Sequence, residues 1–351
     1  MGVATLADDL AADPGALGWA GSAADLARAA RLRYEVALVK AHEEAFDEAF
    51  QLAEGAVRIY RRLARAQPAR FTPELGTTLT ACGLWSSRLG RHDKAVEALT
   101  EAVEVHRDQL AGTARYRPMR RLRLRLGLAV ALTNLGSAHS DRGDHPAAVE
   151  SGRAAVGELH TLHARSRLYR MLSRQDPLSF EHCLAGSINN LGVILADAGE
   201  HEQAYQLAEK TVERYRVLAA QAPVTFESVL ARTLHNLGLA AAHLGRTEEA
   251  LSATREAVYL HRSLFDERPE HQHQLGRSLA AFARIRVSAG TELEEALEAA
   301  EEAVRIHERL AILRPEAFTS DLHSAYRTAS AARTAKDGPV PPPRGPLDDS
   351  L

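Results

Sequence analysis

Asn134, Asn190 and Asn236 each stand directly before a leucine–glycine pair, in three successive segments of similar sequence. A carboxamide donates and accepts at once, so a column of them can bracket the backbone of an extended peptide. The same groups could instead bond a neighbouring segment and fix its stacking, and both readings stay open here. Arg232 lies four residues before Asn236, and Arg277 and Arg284 fall on the equivalent stretch further along. Gathered on one face, these arginines would make a cationic end suited to carboxylates or an acidic segment. A solvated face is the plainer expectation. These six residues are the candidate partner-binding set.

Other groups are weaker. The stretch Arg115–Arg125 (RYRPMRRLRLR) holds six arginines and no acid, a charge pattern that could meet phosphate. Yet Leu122, Leu124 and Leu126 interleave with it and aromatics for base stacking are scarce. An insertion whose arginine stems cover a helix end, or which meets an acidic partner, fits better. Tyr60, His106, Tyr215, His261 and His307 share one register, with Leu159 in the sixth copy. Such a ladder is first a packing position. His160/His163 and His271/His273 have ligand-like spacing, but no Cys partners or HExxH pattern accompany them, so no metal is expected. His92, His145 and His201 are expected to be exposed. Catalysis finds no foothold: there is no phosphate-cradling glycine loop, no GxSxG and no Cys–His context. The carboxylates of HEEAFDEAF (42–50) read as a solvated helix face. No cofactor is called for.

The elements that carry these residues repeat. Six alanines are each followed eight residues later by valine: Ala49/Val57, Ala95/Val103, Ala148/Val156, Ala204/Val212, Ala250/Val258 and Ala296/Val304. Their spacings are 46, 53, 56, 46 and 46, a period of 46 with two insertions. A small residue stands seven after each alanine (Ala56, Ala102, Ala155, Thr211, Ala257, Ala303). Positions i, i+7 and i+8 form one helical stripe, and small side chains there admit a neighbouring helix. Gly90, Gly143, Gly199, Gly245 and Gly290 precede five of the alanines, where one helix must end in a left-handed residue. Pro68, Pro223, Pro269 and Pro315 follow four of the valines by eleven residues, and Pro177 is displaced by an insertion. Each unit reads as helix, glycine turn, helix, proline-containing connector. The array runs from about Ser22 to Arg314, with residues 318–335 as a last unpaired helix that caps the stack.

The pattern of leucine–glycine, six residues, glycine and then EEA resembles the tetratricopeptide repeat. It is seen best in LHNLGLAAAHLGRTEEALSATREAV (234–258) and INNLGVILADAGEHEQAYQLAEKTV (188–212). The repeat exceeds the usual 34 residues and looks like the extended actinobacterial type. Departures occur: ACGLW replaces NLG before Gly90, the Gly290 copy lacks the leucine–glycine pair, and the first copy lacks its glycine. The resemblance implies an all-α fold, a right-handed superhelical solenoid of about six stacked antiparallel helix pairs plus a capping helix. First helices would line a concave groove for a peptide or protein.

Composition agrees with that architecture. Apolar residues make up 45% of the 351, aromatics only 5%, and much of the apolar content is Ala and Leu, which favour helix over strand. A formal net charge of −3 gives no global attraction to nucleic acid or anionic lipid, and 39 of the 43 cationic residues are Arg. Cys82 and Cys183 alone make no disulfide framework. Residues 1–21 carry Asp8, Asp9 and Asp13 and no basic, apolar leader pattern, and no run is long enough to span a bilayer. A cytoplasmic location follows. The expected domains are a poorly ordered segment 1–21, the array 22–336 and a disordered proline-rich tail 337–351. The expected function is a non-enzymatic scaffold binding a peptide or partner protein in its groove. The alternatives are a peptide- or ligand-sensing regulator acting on a separate effector and, more distantly, an enzyme on a helical-repeat frame.

Overall fold

The computed structural model describes residues 22–43, 45–114, 116–165, 177–267, 272–313 and 315–338. Arg115, Pro269, His271, the segment 1–21 and most of the proline-rich tail lie outside them. The described residues form thirteen α-helices and no strand. None of these helices is long and apolar enough to cross a membrane.

The chain divides into two compact units, Met1–Pro177 and Leu178–Leu351. The first holds α1 (Ala23–His42), α2 (Phe46–Ala66), α3 (Pro68–Arg88), α4 (His92–Gly112), α5 (Pro118–Asp141) and α6 (His145–Arg165). The second is built from α7 (Pro177–Asp197), α8 (His201–Gln221), α9 (Pro223–His243), α10 (Thr247–Glu267), α11 (Gln272–Ala289), α12 (Leu293–Leu313) and α13 (Pro315–Asp337). In the first unit each helix packs on the next, and the first helices α3 and α5 also touch. In the second unit α8 to α13 pack in succession, α9 meets α11, and α13 closes the unit against α12 and α11. The last helix thus caps its stack, three residues longer at its start than the pattern implied.

Local chemistry sets the boundaries. Ser22 opens α1 with a capping box: its hydroxyl accepts the Asp25 N–H at 3.3 Å while the Asp25 carboxylate accepts the Ser22 N–H at 3.2 Å. The five turn glycines all have φ between 67° and 82°. In each turn the next residue's N–H reaches back five residues, from Arg91 to the Ser86 carbonyl at 2.9 Å and from Arg246 to the Ala241 carbonyl at 2.9 Å. Among the described residues the prolines expected in connectors, Pro68, Pro177, Pro223 and Pro315, open helices instead. Pro118 is likewise the first residue of its helix. A proline's missing N–H costs nothing there, while the residue before it is pushed out of helical geometry. Gln67 and Ala222, at ψ 71° and 75°, are therefore the whole break between α2 and α3 and between α8 and α9.

One turn differs. Gly290 precedes Ala296 by six residues rather than five, and the extra residue puts Glu292 at φ 46°. Arg286, 1% exposed, pairs with Glu292 and, at 3.0 Å, with Glu295, while its guanidinium lies 4.4 Å from the Phe282 ring centre. The ion pairs hold this strained backbone in place.

The repeat stripe is the packing line. Ala49, Ala95, Ala148, Ala204, Ala250 and Ala296 are buried, as are Ala56, Ala102, Ala155, Thr211, Ala257 and Ala303. Glycines on first helices complete the approach: a Cβ built on Gly83 would meet Leu99 at 2.3 Å, and one on Gly238 would meet Thr254 at 2.4 Å. The ladder Tyr60, His106, Leu159, Tyr215, His261 and His307 is buried throughout, as a packing position requires. His92, His145 and His201, expected to be exposed, are half-buried with Nδ1 inaccessible and unbonded. They open second helices, and the bend at the glycine turns them against the stack; His201 lies flat on His243 at 4.4 Å.

Candidate functional site

First helices expose a stripe at every third or fourth residue, counted back from the turn glycine. In the second unit it carries Asn190 and Val193 on α7, Arg232, Asn236 and Leu239 on α9, and Arg277 and Arg284 on α11, where a buried Ala281 holds the asparagine position. In the first unit Asn134 lies on this face of α5 beside Val130, with Leu84 on α3 and Leu38 on α1 at matching positions. These three apolar side chains are 38% to 46% exposed, unlike the buried residues on the opposite side of the same helices. Asn134, Asn190 and Asn236 are all half-exposed. Asn134 belongs to the first unit and the other two to the second.

The Asn236 side-chain amide donates to the Asn189 side-chain oxygen Oδ1 at 3.3 Å, joining α9 to α7. One asparagine of the candidate set therefore helps stack repeats, through a residue that the sequence pattern did not single out. Asn189 stands one position before Asn190, and His235 and Thr133 occupy the same place in their copies.

Arg277 and Arg284 do come together. They line a cavity of about 190 Å3 with His235, Leu239, Ala280, Ala281, His307, Asp321, Ser324 and Thr328, where α9, α11 and α13 meet. Ala280 and Ala281 stand where other copies carry Thr133/Asn134, Asn189/Asn190 and His235/Asn236. The missing side chains leave the space, and the two arginines flank it one helical turn to either side. Arg232, exposed on α9, is not among the lining residues; its charge acts instead on His182 and Tyr215.

The site's electrostatics are mixed. Burial, helped by the charges of Arg277, His261 and Arg284, pushes His235 down to about 3, so it is neutral at ordinary pH. Its Nδ1 lies 3.3 Å from the Ser278 hydroxyl. A histidine that weak is a poor general base for the serine beside it. Burial likewise lowers His307. Asp321 is pushed upward by burial, but the His273 hydrogen bond and the charges of His273, Arg277 and His307 outweigh this and hold it below the usual carboxylate range. Its carboxylate lies 2.9 Å from His273 Nε2. The cavity thus offers two guanidinium groups, one carboxylate and neutral imidazoles, a set able to bind polar side chains of either sign. Among the described residues no three His, Cys, Asp or Glu side chains gather in a metal-holding set.

His235, Ser278 and Asp321 were not singled out in the sequence. Comparing copies at the 46-residue period flags His235, which stands where Asn189 does. Asp321 sits on the capping helix, which lacks the repeat markers, so nothing aligned it with the site.

The stretch around Arg120 is largely consumed within the fold. Arg120 donates to the Ala69 carbonyl at 3.0 Å and to Gln109 at 2.8 Å. Arg121 donates to the Leu110 and Thr113 carbonyls at 3.1 and 2.7 Å, covering the end of α4, and Arg125 pairs with Glu158 at 3.1 Å. Covering a helix end, one of the two roles expected, is what these arginines do.

Residues 184–219 and 230–273 match the tetratricopeptide repeat family. No curated protein matches the sequence. Among solved structures the chain is similar to BtubC from P. vanneervenii (17% identity, 86% of this chain and 95% of that one, TM-score 0.48). It is also similar to a Rap protein complexed with Competence and Sporulation Factor (11% identity, 87% and 75%, TM-score 0.49). A third is a kinesin light chain of nearly identical TPR-like repeats from Podosopora anserina (19% identity, 70% and 99%, TM-score 0.47).

Proposed function

We propose that this chain, which carries tetratricopeptide repeats, is a non-enzymatic scaffold whose first-helix face holds a peptide or a segment of a partner protein. The observation that carries the reading is the cavity at α9, α11 and α13. There the side chains absent at Ala280 and Ala281 leave accessible space, lined by Arg277, Arg284 and Asp321. Second helices bury the alanine stripe and the ladder in stacking. First helices instead display Asn190, Val193, Arg232 and Leu239, a mixture of carboxamide, apolar and cationic groups that suits an extended chain. The neutral His235 beside Ser278 suits a binding role better than proton transfer.

A photo-crosslinking residue placed at Leu239 tests the reading, with one at the exposed Tyr259 of α10 as comparison. Crosslinks to a discrete protein or peptide from Leu239 alone, lost in an Arg277→Ala/Arg284→Ala variant of unchanged circular dichroism, are expected. Equal crosslinking from both positions, or capture unaffected by the double substitution, would refute it.

A further inference from the structure

Second helices within each unit are tied by a recurring ion pair. An arginine one residue after the ladder position reaches a glutamate five residues before the next ladder position. Arg61 meets Glu101 in this way, Arg216 meets Glu256 at 2.6 Å, and Arg262 meets Glu302. The seam between α4 and α6 breaks the rule. Arg107 holds the arginine position, but Ala154 stands where the glutamate belongs. Among the described residues no carboxylate pairs with Arg107, and its α4 neighbours Glu104 and Asp108 are exposed. Glu158 of α6, which lines the same cleft as Arg107, is taken by Arg125.

The unclasped seam opens into a cleft of about 600 Å3 lined by Arg107, Arg121, Leu110, Leu128 and Glu158. Arg121 lines it with a guanidinium already anchored on two carbonyls. Arg117 lies just beyond the lining residue Ala114 and is tied to its carbonyl at 3.1 Å. Beside it Tyr116 is 80% exposed, its ring 5.9 Å from the Arg117 guanidinium. Exposed Tyr and Arg side by side around a partly apolar cleft are the composition of a protein-binding surface. Nucleic acid would ask for stacked aromatics and a run of phosphate contacts, and one tyrosine offers neither.

We propose that the α4–α5–α6 cleft docks an acidic segment of a partner protein, whose carboxylate pairs with Arg107 as Glu101, Glu256 and Glu302 pair at the other seams. Arg117 and Tyr116 flank the entering chain, and an apolar or aromatic residue of the segment rests on Leu110 and Leu128. This surface lies in the first unit, so it stands or falls apart from the α9–α11–α13 site.

A fluorescein-labelled decaglutamate peptide carrying one tryptophan, titrated by fluorescence anisotropy, tests the proposal on the full chain. Binding should weaken as salt rises, and Arg107→Glu/Arg117→Glu should raise Kd about tenfold or more. Ala154→Glu supplies the absent clasp acid from within and should raise Kd about threefold or more while leaving the fold intact. Glu101 and Glu302 already occupy this register, so a glutamate fits there. Arg305→Glu/Arg309→Glu, the same double charge change at exposed positions of α12, should leave Kd within about twofold. The proposal is overturned if wild type fails to bind the peptide, or if Ala154→Glu binds as wild type does. It is also overturned if a single-stranded oligonucleotide of equal charge binds the same residues more tightly than the peptide.

Discussion

Gly238→Ala puts a methyl group where the first and second helices of one repeat touch. In an open helix interior this substitution stabilises by about 1 kcal/mol, because alanine loses less conformational freedom than glycine. Here the new Cβ would lie 2.4 Å from Thr254 Cγ2, 3.2 Å from the Ala250 carbonyl oxygen and 3.3 Å from the Thr254 nitrogen. Thr254 is fully buried, and its hydroxyl donates to the Ala250 carbonyl at 2.7 Å, so it cannot swing aside. With two of the three neighbours in the backbone, α9 and α10 must separate. Overpacking of that kind costs about 3 kcal/mol, leaving a net loss of about 2 kcal/mol after the helix gain. For a unit of this size the melting temperature falls by roughly 4–8 °C. Gly186→Ala on α7 of the same unit meets only the Tyr215 hydroxyl, at 3.7 Å, and should gain about 1 kcal/mol instead. Thermal melts and urea titrations followed by circular dichroism compare the two variants. Thr254→Ser removes the offending methyl and keeps the hydroxyl bond. In the Gly238→Ala background it should recover about 1 kcal/mol more than it costs alone. A Gly238→Ala protein as stable as wild type, or no coupling to Thr254→Ser, would show that the close approach of these helices is not what the glycine serves.

Acid should weaken the second unit. His235 titrates near 3 when folded, chiefly through burial, against 6.5 when unfolded. Its stabilising effect is therefore complete above 6.5 and is lost as pH falls. Between pH 6.5 and 5 the unfolded chain gains this proton alone, a loss of about 2 kcal/mol. His307, lowered by burial, adds in the same direction. Urea midpoints of wild type and His235→Asn at pH 7 and 5 check this, and an equal pH slope in the two would contradict it. At the irregular turn, Glu292→Ala/Glu295→Ala leaves the buried Arg286 unpaired and should cost about 3–5 kcal/mol, whereas Arg286→Met removes the charge itself and should cost about 1 kcal/mol. Denaturant titrations rank the pair, and the opposite order would refute the argument. Gly245→Ala, at φ 72°, should cost about 1–2 kcal/mol in the same assay, with unchanged stability as the contrary result.

Periodicity made the fold legible because each copy obeys the same local rules. A helix that must end and reverse within two residues needs a left-handed residue, so Gly90, Gly143, Gly199, Gly245 and Gly290 marked the turns without any tertiary information. A helix packed on two neighbours needs small side chains seven apart, so Ala49 and Ala56 announced the stacking line. Proline positions were legible too, but their role was not. Only the short distance between stacked helices shows that Pro68 starts a helix rather than joining two.

The site was less legible, for a physical reason. Identity and spacing along one helix say which face a residue shares, and Asn190, Arg232 and Arg277 do share one face of their first helices. What lies across from that face belongs to other helices, some far away in sequence. Asn236 reaches Asn189 and the Arg277–Arg284 cavity is closed by Asp321 from the capping helix, contacts that no period of 46 could foretell. The missing clasp shows both levels together. Ala154 can be read in the sequence as a departure, but its consequence, an arginine left without a partner over an open cleft, exists only once α4 and α6 lie side by side. Local geometry is written in each repeat; complementarity between repeats depends on distance in space, and that the chain decides only by folding.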